Sequence, residues 1–342
     1  MKRRKFLKST AALATVSMAN SGVFAQAQQR NNNSEDDMIL LTNGTGWAGI
    51  DKTASELEKG TYGIDAMLAG IRMVEAEPKI RSVGYGGWPN ILGVMEFDGG
   101  VMDGTTRRVG SVGALKHTYH AADVAKAVMT ELNHVIVTGD GADRLAAEIG
   151  LPKVDTLLEN SKEVWLQKIK DVLTPEQFEK FPDIPLAPLN TLITDPEKVR
   201  DTTVFMCKDV NQGIHAATST SGWGWKYPGR LGDSPIVGAG FYADSRYGAC
   251  ACTHTGEMAV RSSTSRTVVL AMKLGYSLED AVKLAVEEVA ELETGFIGPL
   301  VIHAIDNKGG HKVVSYNLDK PGEYWFWKPS MSKPEQRLSE LV

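Results

Sequence analysis

The sequence predicts an α+β fold of four layers, αββα, in which two antiparallel β-sheets lie face to face between two layers of helices. Three observations carry this expectation. Strand-like and helix-like segments arrive in blocks, which suggests segregated layers of sheet and helix. The blocks fall on both sides of a long charged stretch at 152–200. With 342 residues, 42 % of them apolar, the chain can bury a core large enough for such a sandwich. No internal repeat is present.

The elements follow from local pattern. Residues 1–27 are set aside: Lys2-Arg3-Arg4-Lys5-Phe6-Leu7-Lys8 is a twin-arginine pattern, followed by an apolar stretch and an Ala25-Gln26-Ala27 cleavage site. The stretch at 11–24 is too short to span a bilayer and carries Asn20 and Gly22. The expectation is export by the twin-arginine route to the periplasm or beyond, with no membrane anchor once the leader is removed. Removal takes away five basic side chains and no acidic ones, leaving 32 basic against 42 acidic and a net charge of −10. Such a surface is a poor partner for nucleic acid or anionic lipid.

Residues 28–37 form a polar lead-in. A strand over 38–42 and helices over 50–57 and 62–76 follow; in the second helix Ile64, Met67, Leu68, Ile71 and Val74 share one face. Next comes the glycine-rich turn segment Arg81-Ser82-Val83-Gly84-Tyr85-Gly86-Gly87-Trp88-Pro89-Asn90. Strands over 94–97 and 110–114 flank a loop at Met102-Asp103-Gly104, and a helix over 121–132 leads into a strand over 134–138. Gly139-Asp140-Gly141 caps a helix through Glu148. From 152 to 200 a single amphipathic helix carries Trp165 and Leu166, and Pro175, Pro182, Pro185, Pro188 and Pro196 mark the rest as a long surface linker. Beyond it the pattern predicts strands over 203–208, 214–218 and 247–253 and helices over 257–274 and 278–292. A hairpin over 300–305 and 312–317, turning at Asn307-Lys308-Gly309-Gly310, closes the chain.

Several chemistries lack their motif. Gly238-Ala239-Gly240-Phe241-Tyr242-Ala243 matches a dinucleotide fingerprint in letters, but the following Asp244-Ser245-Arg246-Tyr247-Gly248 is a turn where that fingerprint needs a helix. His117 and His120 are three apart with no convergent cysteine or acidic motif, so they read as an ordinary polar pair. There is no Gly-x-Ser-x-Gly elbow and no phosphate-binding loop, and no cofactor or metal is implied. Cys207, Cys250 and Cys252 are odd in number, and Cys250 and Cys252 point to one face of a strand, so all three read as small buried hydrophobes.

One peptide bond organises what is left. In Val199-Arg200-Asp201-Thr202-Thr203-Val204-Phe205-Met206 a loose stretch ends at Asp201 and a β-branched strand opens at Thr202. Left intact, Thr202 is a strand-edge threonine. Cut from Asp201, it gains a free α-amine beside its own hydroxyl, which makes a nucleophile and its base in one residue. A neutral α-amine, with a reference pKa of about 7.7 to 8.0, is a base poised near working pH.

Further on come Gly213-Ile214-His215-Ala216-Ala217-Thr218-Ser219-Thr220-Ser221-Gly222, then Pro228-Gly229-Arg230-Leu231-Gly232-Asp233-Ser234-Pro235, then Thr253-His254-Thr255-Gly256-Glu257. This order and spacing resembles glycosylasparaginase, an N-terminal-nucleophile hydrolase that cleaves the bond between an asparagine side chain and N-acetylglucosamine. The resemblance runs from about Met38 to about Tyr316. It implies a single αββα domain over 28–342, self-cleaved into 28–201 and 202–342, with Asp201 assisting the cut. By the same resemblance Thr202 is the nucleophile, Thr220 supports its hydroxyl, Thr253 with the backbone N–H of His254 forms the oxyanion hole, and Thr253, His254 and Gly256 also bind the substrate. Arg230 and Asp233 hold the α-carboxylate and α-ammonium of the substrate, roles that suit a guanidinium fork and a lone carboxylate. The partners implied are a small glycosyl-asparagine or aspartyl-amide, the two chains of one precursor, and further copies in a homo-oligomer.

Three positions depart from the family pattern. Arg200 stands where many relatives carry histidine, which bears on the rate of self-cleavage. His254 stands where glycine is usual, which bears on backbone freedom at the oxyanion hole. Asn43-Gly44 stands where a ligand-lining tryptophan is expected, with Trp47 later. The sister branch of L-asparaginases and isoaspartyl peptidases is a rival; it resembles Gly-Thr at the cut and lacks the Ser82–Gly87 run. A non-catalytic periplasmic binding protein of the same fold is a second.

Overall fold

The computed structural model describes residues 37–193 and 202–342. The expected leader, nearly all of the polar lead-in, Arg200 and Asp201 lie outside the described residues. Among the described residues the chain forms two sheets and ten α-helices.

The first sheet has eight strands in the order β12 (Glu335–Leu338), β11 (Glu323–Trp327), β1 (Ile39–Asn43), β5 (Thr203–Lys208), β6 (Ile214–Thr220), β2 (Phe97–Asp103), β3 (Val109–Leu115) and β4 (Ile136–Thr138). The second has five, ordered β13 (Glu340–Leu341), β10 (His311–Tyr316), β9 (Leu300–Asp306), β8 (Gly248–His254) and β7 (Phe241–Asp244). Pairing is antiparallel throughout except for β3 with β4 and β10 with β13, so the sheets are mixed and not purely antiparallel as expected.

Period-two alternation along β5 sorts its side chains between two cores. Phe205 and Cys207 face helices α1 (Ile50–Glu58), α2 (Gly63–Ala76), α3 (Ala121–Glu131) and α4 (Asp140–Glu148), packing with Ile64, Met67 and Val124. Val204 and Met206 face the second sheet and meet Phe241, Ala251 and Val301. The far side of that sheet, with Cys250 and Cys252, packs on α8 (Gly256–Ser262), α9 (Thr264–Lys273) and α10 (Leu278–Ala290). Helix, sheet, sheet and helix thus form the expected four layers, and the three cysteines are buried thiols.

Four local expectations need correction. Over 152–193, the described part of the expected linker, the chain is not open: α5 (Glu159–Val172), α6 (Pro175–Lys180) and α7 (Leu186–Ile193) enclose a satellite core of Ile91, Ile169, Leu173, Leu189 and Ile193. Pro175 opens α6 behind a capping box, in which the Thr174 hydroxyl accepts from Gln177 N at 3.2 Å and Gln177 Oε1 accepts from Thr174 N at 3.0 Å. The helix over 257–274 is two helices parted at Ser263, whose φ of +49° is left-handed. The strand placed at 94–97 is instead β2, which starts at Phe97 and runs through two glycines to Asp103. The chain does not close on the 300–317 hairpin, because β11 returns to the first sheet beside β1.

Candidate active site

Thr202 is fully buried at the entry to β5 and has a φ of +77°. A β-branched residue in that region is strained by roughly 1–3 kcal/mol and stays there only when its surroundings insist on it. Asn43, the last residue of β1, supplies much of that insistence. Its Nδ2 donates to Thr202 O at 2.9 Å, while its Oδ1 accepts from Val204 N at 3.1 Å and from Thr203 Oγ1 at 3.3 Å. One amide side chain therefore brackets the start of β5. The Thr202 hydroxyl shares a 2.9 Å hydrogen bond with Ser234 Oγ, and the Ser234 carbonyl is itself fixed by Thr218 Oγ1, which donates to it at 2.7 Å.

Antiparallel pairing sets Thr203 opposite Ser219, so Thr202 and Thr220 fall at matching ends of β5 and β6. The Thr220 hydroxyl donates to Ser82 O at 3.3 Å and accepts from Gly222 N at 2.8 Å. It thereby ties the glycine-rich segment to the end of β6. That segment comes close to α2: a side chain on Gly84, whose φ is +57°, would run into the backbone of Glu75. Behind β6, Ser219 Oγ donates to Glu75 Oε1 at 2.6 Å, and Ala122 N donates to the same oxygen at 3.1 Å. Burial raises the Glu75 carboxyl above the usual range, opposed by its contact with His120.

Thr253 and His254 end β8. The Thr253 hydroxyl is buried and lies 3.1 Å from His254 Nδ1. His254 takes up a φ of +84°, so the conformation that glycine would adopt freely is kept here at a cost in strain. Its carbonyl accepts from Trp223 Nε1 at 3.5 Å. The Trp223 ring in turn carries the Arg230 guanidinium 4.1 Å above its centre and packs on Phe296 at 4.7 Å.

Arg230 turns one edge of its fork to Glu257: Nε and Nη2 donate to Oε1 at 3.0 and 2.9 Å, and Nη2 to Oε2 at 2.8 Å. Asp233 is fully buried three residues later. Gly256 opens α8 against it, and a Cβ there would lie 2.7 Å from both Asp233 N and Oδ1. Gly240 closes on the Asp233 carbonyl in the same way. The described residues contain no cluster of histidine, cysteine and carboxylate groups able to hold a metal.

The fold therefore collects Thr202, Thr220, Thr253, His254, Arg230, Asp233 and Gly256 at the ends of β5, β6 and β8, in the loop between β6 and β7 and at the start of α8. Sequence reasoning missed Ser234, Glu257 and the bracketing role of Asn43. It also missed Lys226, whose buried Nζ donates to Glu96 O at 3.0 Å and Ser221 O at 3.2 Å and lies 4.0 Å from Asp98 Oδ2. That lysine and Glu96, which accepts from Gly229 N at 3.0 Å, shape the loop that presents Arg230 and Asp233. A lysine set between aromatic residues in the run Gly222-Trp223-Gly224-Trp225-Lys226-Tyr227 was the signal available for it.

The family model described as asparaginase (Asparaginase_2) matches residues 47–328, which carries the likeness through β11. A Drosophila erecta protein named putative N(4)-(beta-N-acetylglucosaminyl)-L-asparaginase is 33% identical over 274 residues, 75% of this chain and 69% of that protein. The Elizabethkingia miricola N(4)-(beta-N-acetylglucosaminyl)-L-asparaginase is 32% identical over 294 residues, 85% of this chain and 81% of its own. A Pyrococcus furiosus plant-type L-asparaginase is 31% identical over 294 residues, 85% of this chain and 89% of its own. A sandwich of two sheets between helix layers accords with these matches: the chain belongs to the asparaginase family of N-terminal-nucleophile amidohydrolases.

Proposed function

We propose that the chain is a precursor that cuts its own Asp201–Thr202 bond and then hydrolyses the side-chain amide of N-glycosylated asparagine. The observation that carries this reading is the conformation of Thr202, a buried β-branched residue held at a φ of +77° with its hydroxyl already hydrogen-bonded. In the first stage Thr202 Oγ attacks the Asp201 carbonyl, the hydroxyl proton passes to the departing nitrogen as the C–N bond breaks, and Thr202 is left with a free α-amine and an ester on its oxygen. Water hydrolyses that ester to the Asp201 carboxylate and the free hydroxyl. Strain at Thr202 raises the amide ground state and is released by the cut.

In the second stage the neutral α-amine takes the hydroxyl proton as Thr202 Oγ attacks the side-chain carbonyl of the substrate. The oxyanion draws on Thr253 and the His254 N–H, while Arg230 and Asp233 hold the amino-acid end. The proton passes to the leaving amine, the C–N bond breaks, and an aspartyl ester remains on Thr202 until water releases aspartate. Names of relatives at 32–33% identity support the glycosylated substrate.

The relative named plant-type L-asparaginase, together with Asn43 in place of a ligand-lining tryptophan, favours a second reading, hydrolysis of free asparagine or β-aspartyl dipeptides by the same nucleophile. Intact mass spectrometry tests the first stage: two chains meeting at 201 and 202 are expected from the wild type and one chain from Thr202→Ala, and a fully active uncut wild type would refute it. Comparing kcat/KM on glycosylated asparagine, free asparagine and a β-aspartyl dipeptide decides between the substrates.

A further inference from the structure

We infer that the His254 side chain is a positioning residue: its imidazole donates from Nδ1 to the Thr253 hydroxyl and so turns the proton of that hydroxyl toward the oxyanion. This rests on the hydrolase reading above and concerns a side chain, whereas the oxyanion role of residue 254 uses only its backbone.

Three observations meet at this residue. Its φ of +84° is a conformation that glycine takes freely and histidine does not. The backbone is held there on several sides: His254 pairs with Leu300 across the β8–β9 ladder, its carbonyl takes the Trp223 indole at 3.5 Å, and the Thr255 N–H donates to Pro299 O at 3.0 Å. The strained backbone aims Nδ1 to within 3.1 Å of Thr253 Oγ1, a buried hydroxyl, while His254 as a whole is half-buried.

The chemistry of that contact has two forms. A threonine hydroxyl has one proton to give. If Nδ1 is bare, Thr253 donates to it and that proton is spent on the ring. If Nδ1 carries hydrogen, Thr253 accepts from it and its own proton remains for the oxygen that gains charge in the transition state. The second form also leaves the Thr253 oxygen polarised by a donor, which strengthens the hydrogen bond it gives. The cost of keeping histidine at a glycine-type position then has a return in transition-state stabilisation.

Asparagine and aspartate test the idea, because both tolerate left-handed backbone and their terminal atoms overlay the Nδ1 edge of histidine, one able to donate and the other only to accept. His254→Gly removes the strain and the imidazole together. All three variants are assayed after self-cleavage. His254→Gly is expected to raise Tm yet lower kcat by roughly tenfold to a hundredfold, with KM within about twofold, below the 10²–10³ seen when an oxyanion donor is lost outright. His254→Asn should restore kcat to within a few-fold of wild type, and His254→Asp should fall at least as far as His254→Gly. Wild-type kcat in processed His254→Asp or His254→Gly would overturn the inference, as would equal kcat in His254→Asn and His254→Asp. Thr202→Ala separates the two readings. If it turns over substrate as the wild type does, the hydrolase reading fails. If it is inactive while His254→Asp is fully active, only the positioning role fails.

Discussion

Replacing Asn43 tests whether one side chain holds Thr202 in place. In Asn43→Ala the Val204 N–H and the Thr202 carbonyl lose their side-chain partner at 3.1 and 2.9 Å, both within fully buried residues. A buried polar group stripped of its partner costs about 1–3 kcal/mol. Two such groups give about 2–6 kcal/mol, reduced if a water enters the polar cavity that is left, so about 3 kcal/mol is expected. At roughly 2–4 °C per kcal/mol for a chain somewhat shorter than this one, Tm should fall by roughly 6–12 °C. The comparison is best made in a Thr202→Ala background, where the chain stays whole and melting is not mixed with separation of two fragments. Asn43→Asp is the informative control: it keeps the acceptor for Val204 N but sets a carboxylate against the Thr202 carbonyl, so it should be destabilised despite its matching shape. In the Thr202 form both variants should self-cleave more slowly. A Tm for Asn43→Ala within about 1 °C of its parent, together with undiminished self-cleavage, would refute the clamp.

Three other outcomes are expected. Arg230→Ala should lower kcat/KM by roughly 30-fold to several thousand-fold, the equivalent of about 2–5 kcal/mol, while self-cleavage survives; a processed variant with near wild-type kcat/KM would show that the aspartyl end is held elsewhere. Gly256→Ala sets a Cβ 2.7 Å from Asp233 N and Oδ1, so the carboxylate must shift. A cost of about 1–3 kcal/mol, about five-fold to 150-fold in kcat/KM, should follow, and steady-state kinetics on the folded variant would exclude it if unchanged. His303 is buried in the second sheet, and burial first, with the charge of His254 second, pushes it down from 6.5 to about 3. Its folded value lies below its unfolded one, so the unfolded chain binds the proton first. Its contribution to stability is complete above pH 6.5 and is lost as pH falls toward 3, by up to about 1.4 kcal/mol per pH unit. His215 and His120 are shifted the other way, against the pull of burial, by the carboxylates Asp103, Asp209 and Glu75; they favour the fold below pH 6.5 and lose that effect as pH rises through their raised values. Urea midpoints between pH 6.5 and 5 should therefore fall less steeply in His303→Leu, and an identical slope would count against the assignment.

The legible parts of the chain were those written in local periodicity. Ile64, Met67, Leu68, Ile71 and Val74 mark the buried stripe of α2, and the β-branched run after Thr202 marks β5. Glycine and proline misled where they serve packing and capping instead of turns. Gly99 and Gly100 sit inside β2 because a Cβ on Gly99 would lie 3.1 Å from Thr218 O and one on Gly100 would enter the Phe241 ring. Pro175 starts a helix, and the Thr174 and Gln177 pair around it was a readable cap. The aromatic run Tyr324-Trp325-Phe326-Trp327 was also a readable strand. At the site, the threonines and the Arg230–Asp233 pair came from a motif, whereas Ser234 and Asn43 meet Thr202 across separations of 32 and 159 residues, which no local pattern encodes.

The strand order of the first sheet has a consequence for the proposed two-chain form. Strands from before residue 202 and from after it are woven together: β1 lies between β11 and β5, while β2, β3 and β4 continue the sheet beyond β6. Neither fragment would hold a contiguous half of that sheet, so a cut at 201–202 frees a terminus without freeing a piece. The whole precursor can refold as one molecule. The cut protein, once its strands part, needs two chains to meet again, and recovery becomes a matter of mass action, slower on dilution. Self-cleavage would thus turn a reversible fold into one whose persistence depends on how slowly it opens, and the scan rate of a melting experiment should move the apparent Tm of the cut form more than that of Thr202→Ala.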